Sequence, residues 1–316
     1  MTERAEILTE ASATVRVARR AVRPAWQEAP STPAVFAKSA LLTLVVLMVL
    51  LPMWSILVTS FASRQTINLT GGMVVIPREL DLSAYVTILS GGQVTRALGV
   101  SFLVTLVGTA VSLVLTVLAA YGLSRPSTIG HRPLLFYFLV TFLIYPGLVP
   151  SYLVVSGLGL KDSLWSLILP NAISVFNLVV LRSFFMGIPS ELFDSARIDG
   201  ANEWAVLFRI VLPLSRAVLG VVGLFYAVGY WNAYFNALLY IDDNELWPIQ
   251  RVLQSYILAG QAPQLSGMSL PGFNAYPPTL AVKMAVVVVT VLPAVIIYPF
   301  VQKNFTKGML VGAVKG

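Results

Sequence analysis

Residue types that many enzymes and metal sites use are scarce in this chain. It has no cysteine and a single histidine, His131, so disulfides, thiolate metal sites and clusters of imidazole ligands are excluded. Charged residues make up 11% of the 316 residues, whereas an average soluble domain carries about 25%. Hydrophobic residues account for 57%. The chain lacks the polar surface that a soluble protein needs, and we expect it to lie in a bilayer.

Catalytic motifs are missing as well. The sequence holds no G-x-x-x-x-G-K-[ST] phosphate loop, so we do not expect this chain to hydrolyse ATP. No set of nucleophile, histidine and acid can be assembled around His131. The net charge of +7 is spread over short connecting segments, which is typical of membrane orientation rather than of nucleic-acid binding. We therefore predict no catalytic residue, no metal site, no cofactor bound by this chain and no nucleic-acid partner.

Long apolar windows predict the fold class. A helix needs about 20 mainly apolar residues to cross the hydrocarbon core of a bilayer. No Asp, Glu, Lys or Arg lies near the middle of any qualifying window. The sequence therefore predicts an all-α polytopic membrane protein with six transmembrane helices, at 38–60, 97–122, 133–156, 163–185, 214–240 and 280–301.

The distribution of basic residues predicts the orientation. With the N-terminus in the cytoplasm, most of the 21 Lys and Arg residues lie on the cytoplasmic side. Both termini are then cytoplasmic, and the polar N-terminal segment is a tail rather than a cleaved signal. The predicted organisation is a cytoplasmic tail (1–37), the first span (38–60), an extracytoplasmic segment (61–96), a five-helix core (97–301) that contains an extracytoplasmic loop (241–279), and a cytoplasmic C-terminal tail (302–316).

A polar segment at 187–213 separates the fourth and fifth spans. Ser190 is a predicted N-cap, and Glu191 and Asp194 fall in the first turn, where the helix dipole favours acids. Asp199-Gly200 predicts a turn, because glycine accepts the positive φ that ends one helix before the next begins. Beyond the turn, helical spacing predicts one apolar face formed by Trp204, Leu207, Phe208 and Val211. The segment is therefore predicted to be a two-helix elbow beneath the membrane.

The spacing of this elbow resembles the EAA loop of ABC-importer permeases. That loop reads E-A-A, three residues, G, nine residues, then I-x-L-P. Here Asp194-Ser195-Ala196, Gly200 and Ile210-x-Leu212-Pro213 keep every interval, with Asp for Glu and Ser for the first Ala. Further motifs resemble carbohydrate-importer permeases of the oligosaccharide and polysaccharide-fragment subgroup, over roughly 80–316: Gly147-Leu-Val-Pro150-Ser-Tyr152, Leu169-Pro170-Asn171, Arg182-x-Phe184-Phe185 and the ending 302–316.

This resemblance implies a fold, a location and partners. The fold is the type I ABC importer transmembrane fold, in the bacterial cytoplasmic (inner) membrane. The partners are a second homologous permease, two ABC ATPase subunits that hold ATP and Mg, and an extracytoplasmic solute-binding protein. The elbow is expected to couple to the ATPases through Glu191, Asp194, Ser195, Ala196, Asp199, Gly200 and Ala201. The C-terminal tail is either a second ATPase contact, through Lys307, Gly308 and Lys315, or a frayed polar terminus.

Aromatic and amide side chains in the fifth span suggest a substrate pathway. At helical spacing, Tyr226, Tyr230 and Tyr234 share a face, as do Asn232 and Asn236. Aromatic planes cover the apolar faces of sugars, while amides pair with hydroxyl groups. The candidate pathway residues are Asn177, Tyr230, Trp231, Asn232, Tyr234 and Asn236. The same residues also fit hydrogen bonds between helices and an aromatic belt at the interface.

Other functions fit less of the sequence. A permease of the same architecture for a non-sugar solute remains an alternative. An ion-coupled secondary transporter usually needs an ionisable group in mid-membrane, and the predicted spans have none near their centres. A membrane enzyme lacks a catalytic set, and a structural anchor would leave the spacing of the elbow unexplained. The sequence therefore predicts an importer permease, with a carbohydrate as solute.

Overall fold

The regular structure of this chain is helical throughout the part that is described. The computed structural model describes residues 32–90, 92–125, 128–144, 146–257 and 279–313. The chain divides into two compact units, residues 1–53 and 54–316. The first helices in chain order are α1 (Thr32–Ser60), α2 (Arg64–Thr70), α3 (Ser83–Leu89), α4 (Gln93–Ser124), α5 (His131–Leu143), α6 (Leu148–Gly157), α7 (Trp165–Ile168) and α8 (Val175–Met186).

The remaining helices include the elbow and the last span. A 3₁₀ turn (Leu169–Asn171) extends α7, and a π-helical turn (Leu207–Val211) followed by a short turn (Leu212–Leu214) extends helix α10 (Glu203–Val206). A second 3₁₀ turn (Asn244–Leu246) precedes helix α13 (Ile249–Ile257). The helices are α9 (Ser190–Ile198), α10 (Glu203–Val206), α11 (Arg216–Trp231), α12 (Tyr234–Tyr240), α13 (Ile249–Ile257) and α14 (Thr279–Ala313).

Three of the predicted spans are unbroken helices and three are bent. In the described part, α1, α4 and residues 280–297 of α14 are each long and apolar enough to cross a membrane. The other candidate spans are pairs: α5 with α6, α7 with α8 at an angle of 50°, and α10 with α11 at 84°. Counting each pair as one span gives up to six. Window hydropathy predicts how much apolar chain is present, but it does not detect a break inside a window.

The predicted fifth span is interrupted near its end. Helix α11 stops at Trp231, and α12 starts at Tyr234. The side-chain amide of Asn232 donates to the Val228 carbonyl at 2.9 Å, which competes with continued helix. The prediction that Tyr234 shares a helix face with Tyr226 and Tyr230 is therefore wrong.

Helix α4 has a stripe of small and polar residues along its buried side. Ser101, Gly108, Ser112, Thr116 and Ala120 are all buried, and α4 packs against α8 and α11. Small side chains let helix backbones approach closely, and hydroxyl groups can bond across the interface. A Cβ atom added at Gly108 would lie 2.9 Å from the ring of Tyr230 on α11. Glycine is therefore required there for the packing of α4 on α11.

The two segments predicted as long loops contain short helices. In 61–96, α2 begins at the N-cap Ser63, whose hydroxyl accepts from the Thr66 N–H at 3.3 Å, and α3 follows. In 241–279, α13 buries Ile249, Val252 and Tyr256 on one side. Residues 258–278 of this predicted loop lie outside the described part of the chain.

The two predicted tails differ from the helix bounds. Helix α1 begins at Thr32, inside the predicted tail 1–37, and residues 1–31 lie outside the described part. Helix α14 continues to Ala313, so the predicted end of the last span at residue 301 is not a helix end. Lys307 and Gly308 fall within this helix, whereas Lys315 lies outside the described residues.

A methyl group at residue 108 tests the packing of α4 on α11. We expect Gly108→Ala to force the Tyr230 ring to move, and overpacking of this kind costs about 1–3 kcal/mol. The melting temperature of the purified permease should fall. Gly99→Ala, on the same helix, is the matched control, because a Cβ atom at residue 99 would have no neighbouring atom within 4 Å. Equal melting temperatures for the two variants would contradict the close approach described.

Candidate functional site: an elbow and a cavity

The elbow begins where α8 ends. Gly187 caps α8, and Pro189, in extended conformation at φ −54° and ψ 134°, precedes α9. Ser190 is the first residue of α9 rather than its N-cap, which corrects the prediction, because the fixed φ of proline already sets the entry into the helix. Glu191 lies in the first turn of α9, where the helix dipole favours an acid, whereas Asp194 is the fifth residue of α9, so its predicted place in the first turn is wrong.

The turn of the elbow is built around Gly200. The Ala201 N–H donates to the Ala196 carbonyl at 2.9 Å, and the Gly200 N–H donates to the Arg197 carbonyl at 3.0 Å. This pair of bonds is a Schellman motif, and Gly200 has the left-handed φ of +81° that the motif requires. The side chain of Asn202 then accepts from the Ala205 N–H at 2.8 Å and starts α10. The predicted turn at Asp199-Gly200 is confirmed.

The elbow packs on α4 and α8 through an apolar cluster. The cluster joins buried residues from both halves of the elbow to buried residues of α4 and α8. The elbow contributes Phe193, Ala196, Val206, Leu207 and Val211, and the two helices contribute Val117, Ala120, Leu181 and Phe185. The predicted single apolar face is wrong in part, because Trp204 and Phe208 are 61% and 59% exposed and stack on each other at 6.2 Å. The π-helical turn holds more residues than an α-helical turn, so the four positions do not share one face.

The predicted coupling residues divide into exposed and inward-facing positions. Ala196 is only 9% exposed and belongs to the apolar cluster, and Ala201 packs at its edge. The other members of the set are exposed: Glu191, Asp194, Ser195, Asp199 and Gly200. Asp194 lies 3.8 Å from Arg197, one turn along α9. The exposed members form a polar surface on the side of the elbow away from α4 and α8.

Glu203 joins both halves of the elbow to α4. The Tyr121 hydroxyl donates to Oε2 of Glu203 at 2.5 Å, and Nη2 of Arg197 donates to Oε1 at 3.0 Å. The hydrogen bond from Tyr121 lowers the pKa of the Glu203 carboxyl, and the hydrogen bond from Arg197 lowers it by a smaller amount. The pKa therefore lies below its usual range although partial burial raises it. The carboxylate therefore links α10, α9 and the C-terminal end of α4.

Arg125 completes this network from the end of α4. Its guanidinium lies 4.0 Å from the ring centroid of Phe193 on α9 and donates to the Tyr121 hydroxyl at 3.0 Å. Its Nη2 atom also lies 3.8 Å from Oε2 of Glu203. The residues predicted from the sequence do not include Tyr121, Arg125 or Glu203. The only signal was Glu203 after the helix-starting Asn202, since Tyr121 and Glu203 are 82 residues apart.

The break between α7 and α8 is held by two tyrosines of α11. The Tyr226 hydroxyl accepts from the Ser174 N–H at 2.9 Å and bonds to the Thr116 hydroxyl at 2.6 Å. The Tyr230 hydroxyl donates to the Ile168 carbonyl at 3.1 Å and lies 2.7 Å from the Ser112 hydroxyl. Backbone groups that a break would leave unpaired are thus satisfied by side chains from α11.

A cavity of about 870 Å³ lies beside this break. Of the six predicted pathway residues, Asn177, Tyr230, Asn232 and Asn236 line it. None of the described lining residues is Asp, Glu, Lys or Arg. The rest of the lining consists of one further amide, Asn171, and of aromatic, apolar or hydroxyl-bearing residues: Thr141, Phe142, Pro170, Ile173, Ser174, Val175, Phe176, Phe225, Tyr226, Gly229, Ala233 and Phe235. The cavity therefore offers amides and aromatic surfaces without formal charge.

Two predicted pathway residues are not part of this lining. Trp231 is 8% exposed, its indole N–H donates to the Thr290 carbonyl at 3.2 Å, and its ring packs edge-on against Phe102 at 5.2 Å. It therefore joins α11 to α14 and α4 by packing. Tyr234 is partly buried at the start of α12 and does not line the cavity, because the break after Trp231 changes its direction.

The family of the chain follows from sequence matches. Residues 131–311 match the family described as binding-protein-dependent transport system inner membrane component. This chain belongs to that family. It is thus a permease of the ABC-importer class, a membrane transport component rather than an enzyme, and the predicted family is confirmed.

Relatives of this permease have names that mention carbohydrate transport. The polygalacturonan/rhamnogalacturonan transport system permease protein YtcP of Bacillus subtilis is 45% identical over 85% of this chain and 94% of that protein. The arabinooligosaccharides transport system permease protein AraQ of the same organism is 28% identical over 85% of this chain and 92% of that protein.

A solved structure has the same fold. One chain of a bacterial ABC transporter involved in the import of the acidic polysaccharide alginate is 27% identical to this permease. The two chains superpose with a TM-score of 0.79, over 88% of this chain and 100% of the other. The bent helices and the elbow described above therefore belong to an importer permease fold.

Removing one hydroxyl group tests how the elbow is held. A hydrogen bond to a charged group contributes about 1.5–3 kcal/mol, and we expect the lower end because Tyr121 is only partly buried. Amides of 193–198 in Tyr121→Phe should exchange hydrogen roughly tenfold faster, as measured by mass spectrometry. Tyr137→Phe is the control, since Tyr137 is 63% exposed and makes no hydrogen bond in the described part. Unchanged exchange in Tyr121→Phe would show that the apolar cluster alone fixes the elbow.

Proposed function

We propose that this permease forms, with a second homologous permease, the transmembrane pathway for a carbohydrate of oligosaccharide size. The pair lies in the bacterial cytoplasmic membrane, and each of its chains has six spans and two cytoplasmic termini. Two ABC ATPase subunits, which bind ATP and Mg, lie beneath it, and an extracytoplasmic binding protein delivers the solute. This chain itself binds no cofactor.

The elbow is the observation that supports this proposal most strongly. Its exposed surface carries Glu191, Asp194 and Asp199, while its opposite side is packed and hydrogen-bonded onto α4 and α8. A segment built in this way transmits force, since one side is free for a partner and the other is fixed to the spans. We propose that the free side enters a groove on an ATPase subunit, so that closure of the ATPases displaces the elbow.

The C-terminal end of α14 is a second proposed contact. The helix continues to Ala313, beyond the length needed to cross a bilayer. Lys307 and Gly308 lie in this extension, and Lys315 follows it. We propose that these residues touch the ATPase subunits beside the elbow.

The chemistry of the cavity supports a sugar as the solute. In the described part of the chain, the side-chain amides of Asn177 and Asn236 line the cavity and make no hydrogen bond. The rings of Tyr230 and Phe225 supply flat apolar surface beside them. Sugar hydroxyls pair with amides, and sugar C–H faces cover aromatic rings. The names of the relatives, which mention polygalacturonan, rhamnogalacturonan and arabinooligosaccharides, support the same solute class for this permease.

Two alternatives to a sugar importer are considered, a permease for a non-sugar solute and an ion-coupled carrier. A non-sugar solute delivered by a binding protein would use the same architecture and the same elbow. An ion-coupled carrier would need an ionisable group along its pathway, and the lining described above has no acid or base. This second alternative is therefore disfavoured by the cavity as well as by the family.

Substitutions in the turn test the coupling role of the elbow. Proline cannot adopt the φ of +81° found at Gly200, so Gly200→Pro should unfold the turn and abolish uptake. Asp194→Lys should also abolish uptake, because it reverses an exposed charge on the proposed contact surface. Asp194→Glu is the matched control, since it keeps the charge, and its uptake should equal or exceed that of the wild type. Uptake that survives both disruptive changes would refute the coupling role.

The energy source separates the importer from the ion-coupled carrier. The purified complex should hydrolyse ATP faster when its loaded binding protein is added, and uptake into cells should stop when ATP is depleted. Transport that persists without ATP and collapses with a protonophore would support the gradient-driven alternative instead.

A further inference from the structure

The amino end of α8 opens into the cavity. Helix α8 has 12 residues, and its N-cap Ser174 and first three residues, Val175, Phe176 and Asn177, all line the cavity. The break after Asn171 places this helix end inside the bent pair of α7 and α8, which together form one candidate span, rather than at an end of that pair. A helix amino terminus carries unpaired N–H groups and a positive partial charge.

Two backbone donors at this end remain free. The Ser174 N–H is taken by Tyr226, and the Asn177 N–H is capped by the Ser174 hydroxyl at 3.4 Å. The N–H groups of Val175 and Phe176 make no hydrogen bond within the described residues. Lipid tails cannot accept hydrogen bonds, and no helix backbone carbonyl is available to these two donors. Within a membrane span they therefore need another acceptor.

Asn177 provides a second and independent indication of a ligand. Asn177 as a whole residue is only 4% exposed, it lines the cavity, and its side-chain amide has no hydrogen-bond partner among the described residues. Buried polar side chains in native proteins are nearly always paired. An unpaired amide beside two free backbone donors therefore indicates a site for a hydrogen-bond acceptor.

The absence of charged side chains from the described lining of the cavity indicates which class of acceptor binds there. No acidic side chain among the described lining residues competes for the helix end, and no basic side chain neutralises an anion elsewhere in the cavity. A neutral hydroxyl would use the amide but gain little from the helix dipole, whereas a carboxylate gains from both. Half-helix amino ends that face a mid-membrane cavity suit anionic groups for the same reason.

We propose that the amino end of α8, through the N–H groups of Val175 and Phe176 and the amide of Asn177, binds the carboxylate of an acidic sugar unit during transport. This inference rests on the proposed function and narrows its solute class to acidic oligosaccharides. The neighbouring rings and amides of the cavity then contact the rest of the sugar.

The test compares an acidic probe with its neutral counterpart. The complete complex of both permeases and the ATPases is placed in nanodiscs without the binding protein, whose own selectivity would mask that of the permease. Equilibrium binding is measured for trigalacturonate and for its methyl ester, which has the same rings but no carboxylate charge. We expect the acid to bind about tenfold more tightly than the ester.

One substitution places a competing carboxylate at the helix end. Asn177 is the third residue of α8, where an acid favours the helix, so Asn177→Asp should fold. The variant should lose about tenfold in affinity for trigalacturonate and change little for the ester. Asn236→Asp is the matched control, since it adds the same charge to the same cavity from α12, away from the end of α8.

Each outcome supports or overturns the assignment. Equal binding of acid and ester by the wild type, or binding of neither, overturns it. An equal loss of acid binding in Asn177→Asp and Asn236→Asp also overturns it, because the site would not be at the helix end. These failures differ from failure of the proposed function, since Gly200→Pro would still abolish ATP-driven uptake.

Discussion

In the hydrocarbon core of a membrane, backbone N–H and C=O groups must be paired with a hydrogen-bond partner. In this permease, two tyrosine hydroxyl groups on α11 supply such partners. The bent pair of α7 and α8, a candidate span, is broken after Asn171. The Tyr226 hydroxyl accepts from the Ser174 N–H and the Tyr230 hydroxyl donates to the Ile168 carbonyl, so the groups beside the break are paired. Without these two hydrogen bonds, the break would leave backbone groups unpaired, which would cost free energy. With them, α8 can start inside this candidate span, and its first residues, with the amide of Asn177, line the cavity beside it.

Helix α4 connects this cavity to the elbow. Its Ser112 and Thr116 hold the hydroxyls of Tyr230 and Tyr226, and further along the same helix Tyr121 holds Glu203 of the elbow. Because a packed helix moves as a rigid element, the displacement of the elbow that we propose for an ATPase subunit would reach the cavity wall through α4. The covalent links from α8 to α9 and from α10 to α11 then provide a second route.

Sequence patterns predicted what is local or spaced at fixed intervals, and they failed where contacts join distant segments. The turn at Gly200 follows from the conformational freedom of glycine, and the spacing around it indicated the family. The break after Asn171 depends on partners in another helix, and the break after Trp231 depends on a single polar side chain, Asn232, inside an apolar window, so window hydropathy detected neither. Trp231 fits a sugar site by composition, yet its N–H is used by Thr290, 59 residues away. Tyr121 and Arg125 gave no signal for the same reason.

The central claim is that the exposed side of the elbow contacts an ATPase subunit in the cytoplasm. The natural absence of cysteine makes a direct test simple, because Ser195→Cys places a single thiol on the exposed side of α9. We predict that this thiol forms an ATP-sensitive disulfide with cysteines placed in the ATPase groove, and that a membrane-impermeant maleimide labels it in inside-out vesicles but not in intact cells. Labelling from outside the cell, or no crosslink to an ATPase at any groove residue, would contradict the account.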